Sequence, residues 1–137
     1  MRGPPTRRMR APGRESTLHF SVAAFMRRAW PEDLPWWHTP NGELRDKRTA
    51  AKLKGMGVLR GVPDIIVLLP NGQAGFIELK KADGTSSDDQ VEFRDKVLAL
   101  HCGYATCRSM EEVQAALSRW LGMFGRKLRA SIMRRAA

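Results

Sequence analysis

The chain has 137 residues, 42% of them hydrophobic and 28% charged, which suits one soluble domain with a single core. No apolar run is long enough to cross a bilayer and the N-terminus lacks the hydrophobic block of a signal peptide, so a cytoplasmic location is expected. The formal net charge is +10, yet the ends carry all of it: Arg2, Arg7, Arg8, Arg10 and Arg14 at one, Arg126, Lys127, Arg129, Arg134 and Arg135 at the other, leaving 14 basic and 14 acidic residues between. Residues 1–14 therefore read as a basic, disordered arm, 15–125 as the folded domain and 126–137 as a basic tail. Either end can grip phosphate or simply be solvated.

The first helix is expected from Glu15 to Ala29, where Leu18, Val22, Phe25, Met26 and Ala29 recur at helical spacing and Pro31 and Pro35 follow. Glu15 offsets the macrodipole in the first turn, but it also lies three residues before Leu18 on the apolar stripe. Trp36 to Thr39 is a short strand candidate, with core packing favoured for both tryptophans over stacking on an exposed base. Arg45 to Lys54 reads as a basic helix ended by Gly55 and Gly57. Arg45, Lys47, Arg48, Lys52, Lys54 and Arg60 face only Asp46 in charge, so they form either a phosphate-gripping surface or a solvated face.

Two strands follow, Ile65 to Leu69 and Ala74 to Leu79, joined by Pro70-Asn71-Gly72. A two-residue loop at Asn71-Gly72 sets Asp64 opposite Leu79, on the wrong face. A three-residue loop fits better, because Pro70 has the φ of the second position of a type I turn and Gly72 takes the left-handed bulge. Leu69 then pairs with Gln73, and Asp64 faces Glu78. Lys80 projects from the same face as Glu78, with the Leu79 carbonyl between them. A carboxylate at the edge of an apolar strand is costly unless it is paired or holds a cation. Two facing carboxylates, a carbonyl and an ammonium suit Mg2+ or Mn2+, hard ions that keep waters and a substrate phosphate in their shell. Taken singly, a turn Asp and a surface Glu-x-Lys are ordinary; together, in this register, they point to a site.

After the hairpin, Ser87 to Gln90 is a capping box opening a helix expected to bury Phe93, Val97 and Leu100. Gly103 leads into a strand through Cys107, and Ser109 to Glu112 is a second capping box before a stripe of Val113, Ala116, Leu117, Trp120 and Leu121. Cys102 and Cys107 lie five apart on an expected strand. If extended, that is roughly 16 Å, beyond disulfide reach. The three histidines, His19, His38 and His101, lack zinc-ligand spacing. The alternation of elements predicts an α/β fold, a mixed four-stranded sheet flanked by helices.

Pro63-Asp64 followed by Glu78-Leu79-Lys80 resembles the PD-(D/E)XK nuclease signature. The surrounding string, His38-Thr39-Pro40-Asn41-Gly42, Ala51 to Val58, Arg60 to Asp64, Phe76 to Lys80 and Gln90, resembles its VRR-NUC branch, in particular stand-alone, phage-type members. The resemblance runs from about Glu15 to about Leu117 and implies a restriction-endonuclease-like core. It implies Asp64 and Glu78 as metal ligands, with Glu15 as a further candidate, Lys80 as the catalytic lysine and Gln90 as a supporting residue, although Gln90 is equally explained as a cap. The activity implied is Mg2+-dependent cleavage of DNA, of branched or Holliday-junction-like form, in replication, recombination or repair, in a bacterial cell or phage-infected host. A single site cuts one strand, so paired cuts call for a homodimer, for which Trp120 and Phe124 are candidate contacts. The rival expectations are an inactive DNA-binding module of the same fold and a nuclease of intact duplex or RNA.

Overall fold

The computed structural model describes residues 14–40 and 46–132, with side chains from Thr17 onward in the first segment. The elements are α1 (Arg14–Ala29), β1 (Trp36–His38), α2 (Lys47–Gly55), β2 (Ile65–Leu68), β3 (Ala74–Leu79), α3 (Asp88–Ala99), β4 (Gly103–Cys107) and α4 (Met110–Gly122). The strands form one sheet in the order β1-β2-β3-β4, antiparallel through β3 and parallel between β3 and β4. This is the mixed four-stranded α/β sheet read from the alternation of elements. Among the described residues no helix is long and apolar enough to cross a membrane.

The two faces of the sheet have different tasks. One carries Ile65, Val67, Ile77, Leu79 and Cys107, all buried against the stripes of α1 and α4, and it holds the hydrophobic core. The α1 stripe is the expected one, and so is that of α4, whose five residues are all buried. The other face, one residue out of phase along each strand, carries Ile66, Phe76, Glu78 and Tyr104 and is covered over β3 and β4 by α3. Phe93 of α3 meets Phe76 edge-on with ring centroids 5.1 Å apart, which seats the helix there.

Trp120 was a candidate for a subunit contact, but it is only 4% exposed. Its indole lies across β3 and β4 where Gly75 and Gly103 leave room: a Cβ at Gly75 would come within 2.8 Å of the ring and one at Gly103 within 2.7 Å. Phe124 is half-buried against the same core. Gly103→Ala should therefore destabilise the domain by about 1–3 kcal/mol through overpacking. A thermal melt checks this, and an unchanged melting temperature would mean that the indole has slack.

Other boundaries differ from expectation for local reasons. The basic helix starts after Asp46, whose carboxylate accepts the Thr49 N–H at 2.7 Å and so caps it; Arg45 lies outside the described residues. Leu100, expected in the core, is 68% exposed, because α3 ends at Ala99 and the chain turns through His101 at φ 61. Ser109 caps α4 as expected, accepting the Glu112 N–H, but the Glu112 carboxylate bonds the N–H of Arg108 and not that of Ser109. Cys102 and Cys107 are free thiols, half-buried and buried.

The segment from Arg126 to Ile132, read from sequence as a basic tail that grips phosphate or is solvated, folds back over the end of α1. The Arg129 guanidinium donates to the carbonyls of Trp30 at 2.9 Å and Arg27 at 3.0 Å, and the Arg129 N–H to that of Ala29 at 2.8 Å. These are carbonyls that a helix C-terminus leaves without partners. Arg126 forks onto Asp33 at 2.6 and 3.1 Å, and Leu128, Ala130 and Ile132 pack against the core.

Candidate active site

The β2–β3 hairpin sets the geometry. Leu69 pairs with Gln73 through a 2.8 Å bond, Gly72 donates to the Leu69 carbonyl at 2.8 Å, and Gly72 sits at φ 84, so the loop is the three-residue Pro70-Asn71-Gly72. Asn71 reinforces it by accepting the Gln73 N–H at 3.1 Å. The ladder runs Leu68 to Ala74, Val67 to Gly75, Ile66 to Phe76 and Ile65 to Ile77. Continued by one residue, it sets Asp64 opposite Glu78.

Asp64 is held at both its backbone and its side chain. Its carbonyl accepts from the Thr39 N–H at 2.9 Å and from His38 Nδ1 at 2.8 Å, so the His38 proton sits on Nδ1. Its Oδ2 accepts the Leu79 N–H at 2.8 Å, a charge-assisted bond that ties the two strands beyond the end of their ladder. The N–H and C=O of one strand residue point to the same side, so the Leu79 carbonyl also faces Asp64.

Glu78 is the one buried charged side chain among the described residues, 4% exposed. Its Oε1 accepts from Gln90 Nε2 at 3.0 Å and lies 3.6 Å from Lys80 Nζ. Its Oε2 is buried with no hydrogen-bond partner. Burial first, and the adjacent Asp64 charge second, push its carboxyl up to about 8, against the pull of the Lys80 ammonium. Burial first, and the Glu78 charge second, push the phenol of nearby Tyr104 up to about 12.

Gln90 unites the two readings open for it. As a cap, its Oε1 accepts the Ser87 N–H at 2.9 Å while its own N–H donates to Ser87 Oγ at 3.2 Å. The same Oε1 accepts from Lys80 Nζ at 2.7 Å. One amide therefore closes the start of α3, orients the ammonium and binds Glu78. The helix start is seated against Gly61, at φ 82, where a Cβ would come within 2.4 Å of the Asp89 carbonyl oxygen. The loop after Lys80 is fixed by Arg108, whose Nη1 donates to the carbonyls of Lys81 at 2.6 Å and Gly84 at 2.9 Å.

The other expected site residues are placed as follows. Glu15 belongs to α1, but its side chain is outside those described, as is all of Arg45. Lys47, Arg48, Lys52 and Lys54 are exposed on α2, which buries none of its residues, and Arg60 is exposed on the loop leading to Asp64. His38 and Arg108 support the site without having been assigned a role from sequence. His38 stood in the matched string, but its bond to the Asp64 backbone depends on the strand register, and nothing in the sequence around Arg108 marks it.

The donor set fits a hard divalent ion. Two carboxylates face each other, one of them with an unpartnered buried oxygen, and a backbone carbonyl lies alongside. Among the described residues no three His, Cys, Asp or Glu side chains converge, so a bound ion would draw the rest of its shell from carbonyl, water or phosphate oxygen. That is the habit of magnesium.

No family model matches the chain, and no curated protein matches it. Among solved structures it is similar to one titled "VRR_NUC domain protein", with a TM-score of 0.66 and 20% identity over 82% of this chain and 91% of that one. At that identity the likeness speaks for architecture. The chain has the fold of a VRR_NUC domain, a restriction-endonuclease-like α/β core.

Proposed function

We propose that the protein is a metal-dependent DNA endonuclease of the VRR-NUC branch of the PD-(D/E)XK nucleases, acting on branched or otherwise structured DNA in replication, recombination or repair. The observation that carries this reading is Glu78 Oε2, a buried carboxylate oxygen with no partner, facing Asp64. A buried carboxyl facing a second acid keeps its proton unless a cation joins the pair, so the arrangement suits a site that loads a metal. A structural carboxyl in an inactive module would share a proton with Asp64 and would not respond to Mg2+.

Asp64, Glu78 and the Leu79 carbonyl would hold the ion, Mg2+ or Mn2+, which when bound supplies Lewis-acid polarisation of phosphodiester and water oxygens. Lys80, its side chain 13% exposed and fixed by Gln90, presents a positive charge where the phosphoryl oxygens gain negative charge. Because Gln90 takes up one of its N–H groups, the ammonium reaches the transition state already oriented. The exposed cations of α2 and Arg60 lie along the chain leading to Asp64 and are suited to the phosphates of the substrate backbone. A second copy would supply the second cut across a symmetric junction.

Purified protein incubated with linear duplex, single strand, RNA and a four-way junction, each with Mg2+, Mn2+ or EDTA, tests the reading and separates it from cleavage of intact duplex or RNA. Asp64→Asn and Lys80→Ala should each lower cleavage by at least about a hundredfold while salt-sensitive binding persists. Cutting in EDTA, or undiminished cutting by either variant, would place the chemistry elsewhere.

A further inference from the structure

The two tryptophans of β1 have separate fates. Trp36 is partnered with Val67 on the core face, half-buried, with the Arg27 guanidinium 6.0 Å from its ring. Trp37 is partnered with Ile66, so it projects from the opposite face, and it is 44% exposed. That is the face on which Asp64 and Glu78 meet. Helix α3 shields its β3 and β4 half, whereas over β1 and β2 the side chains of Ile66 and Leu68 remain half-exposed.

The register fixes how near the indole is to the acids. The Thr39 N–H bonds the Asp64 carbonyl, so Thr39 lies beside Asp64, and Trp37 stands one side-chain row further along the same face. From strand spacing and rise, the Cα atoms of Trp37 and Asp64 are roughly 8 Å apart, the span of one or two nucleotides. An aromatic ring in that position can stack only on a base whose face is available. Bases within a duplex present their edges, whereas unpaired bases at a fork, flap or junction present a face, and stacking there tolerates any base identity.

We propose that Trp37 is a stacking platform for an unpaired base next to the phosphodiester over Asp64 and Glu78, and that it directs the enzyme to DNA with locally separated strands. The inference rests on the nuclease reading of the acid pair and names what that site selects.

Two substitutions separate the ring from its strand. Trp37→Val keeps a strong strand former and removes the ring, whereas Trp37→Phe keeps an aromatic face. The ratio of kcat/KM on a forked substrate to that on a duplex of the same sequence should fall about tenfold in Trp37→Val and largely recover in Trp37→Phe. A purely structural role for Trp37 would lower both activities together and leave the ratio where it was, overturning the proposal. Binding is read separately in the Lys80→Ala background, with 2-aminopurine at the unpaired position flanking the cut. Its emission should be quenched by the wild-type ring and by Trp37→Phe, and restored by Trp37→Val. Equal quenching in all three would also overturn it. If the wild-type protein cuts no nucleic acid, the nuclease reading fails, and the quenching measurement still decides whether Trp37 stacks on a base.

Discussion

Glu78→Gln is expected to raise the melting temperature of the metal-free protein above pH 8 while removing cleavage. The folded-state pKa of Glu78 is raised from 4.5 to about 8, so between those values the folded protein keeps a proton that the unfolded chain has released. Its contribution is fully present below pH 4.5 and is lost as the pH rises through about 8. Glutamine is neutral throughout and retains an oxygen to accept from Gln90 Nε2. Relative to wild type it should gain several kcal/mol at pH 9, on the order of 10 °C in melting temperature, and little at pH 4. The carboxylates of Asp33 and Asp46 are lowered, by Arg126 and by the Thr49 N–H, so their effect is confined to pH below their usual 3.8 and leaves this window clear. Melts from pH 5 to 9 in EDTA, repeated in millimolar Mg2+, are the measurement. Added Mg2+ should stabilise wild type most at high pH, where Glu78 is ionised, and should do much less for the variant. A metal-free wild type that becomes more stable than Glu78→Gln as the pH rises would show that this carboxylate is satisfied by the protein.

Gly61→Ala is expected to cost about a hundredfold in kcat although Gly61 brings no side chain to the site. At φ 82 the alanine is strained, and its Cβ would lie 2.4 Å from the Asp89 carbonyl and 2.8 Å from the Gln90 nitrogen, both backbone atoms of the first turn of α3. That turn has to retreat, and Gln90 retreats with it, away from Lys80 and Glu78. A displacement on the order of 1 Å at a positioning group is enough for a loss of that size. Gly72→Ala is the control, because Gly72 has nearly the same φ, 84, with nothing within 4 Å of the added carbon. It should lose about 1 kcal/mol of stability and little rate. Similar kinetics for the two variants would mean that the Gly61 contact does not support the site.

The parts of the molecule legible in the sequence are those that local chemistry decides. Pro70 and Gly72 specify the loop, the loop specifies the ladder, and the ladder sets Asp64 opposite Glu78. Helical spacing likewise identified the buried faces of α1 and α4. What was not legible depends on partners far along the chain. Trp120 read both as part of the α4 stripe and as a subunit contact, because the sequence does not reveal that Gly75 and Gly103 have cleared a slot for it. Leu100 fell on a helical period that the chain leaves one residue earlier. Arg126 and Arg129 read as tail charges since their partners, Asp33 and the carbonyls at the end of α1, lie over ninety residues away. Gln90 was ambiguous because sequence spacing reveals the cap, while its contacts with Lys80 and Glu78 exist only once α3 lies on the sheet.

Both acids ride on one continuous hairpin, spanned by a direct bond from the Leu79 N–H to Asp64, whereas the ammonium takes its orientation from a residue on a separate helix. The oxygen cradle is therefore a cassette with one continuous backbone, in which Gln90 of α3 steadies the Glu78 carboxylate as well as the ammonium. The vulnerable joint is the seam between that cassette and α3, so a disturbance arriving from the outer shell of the molecule would misalign the charge before it opened the cradle.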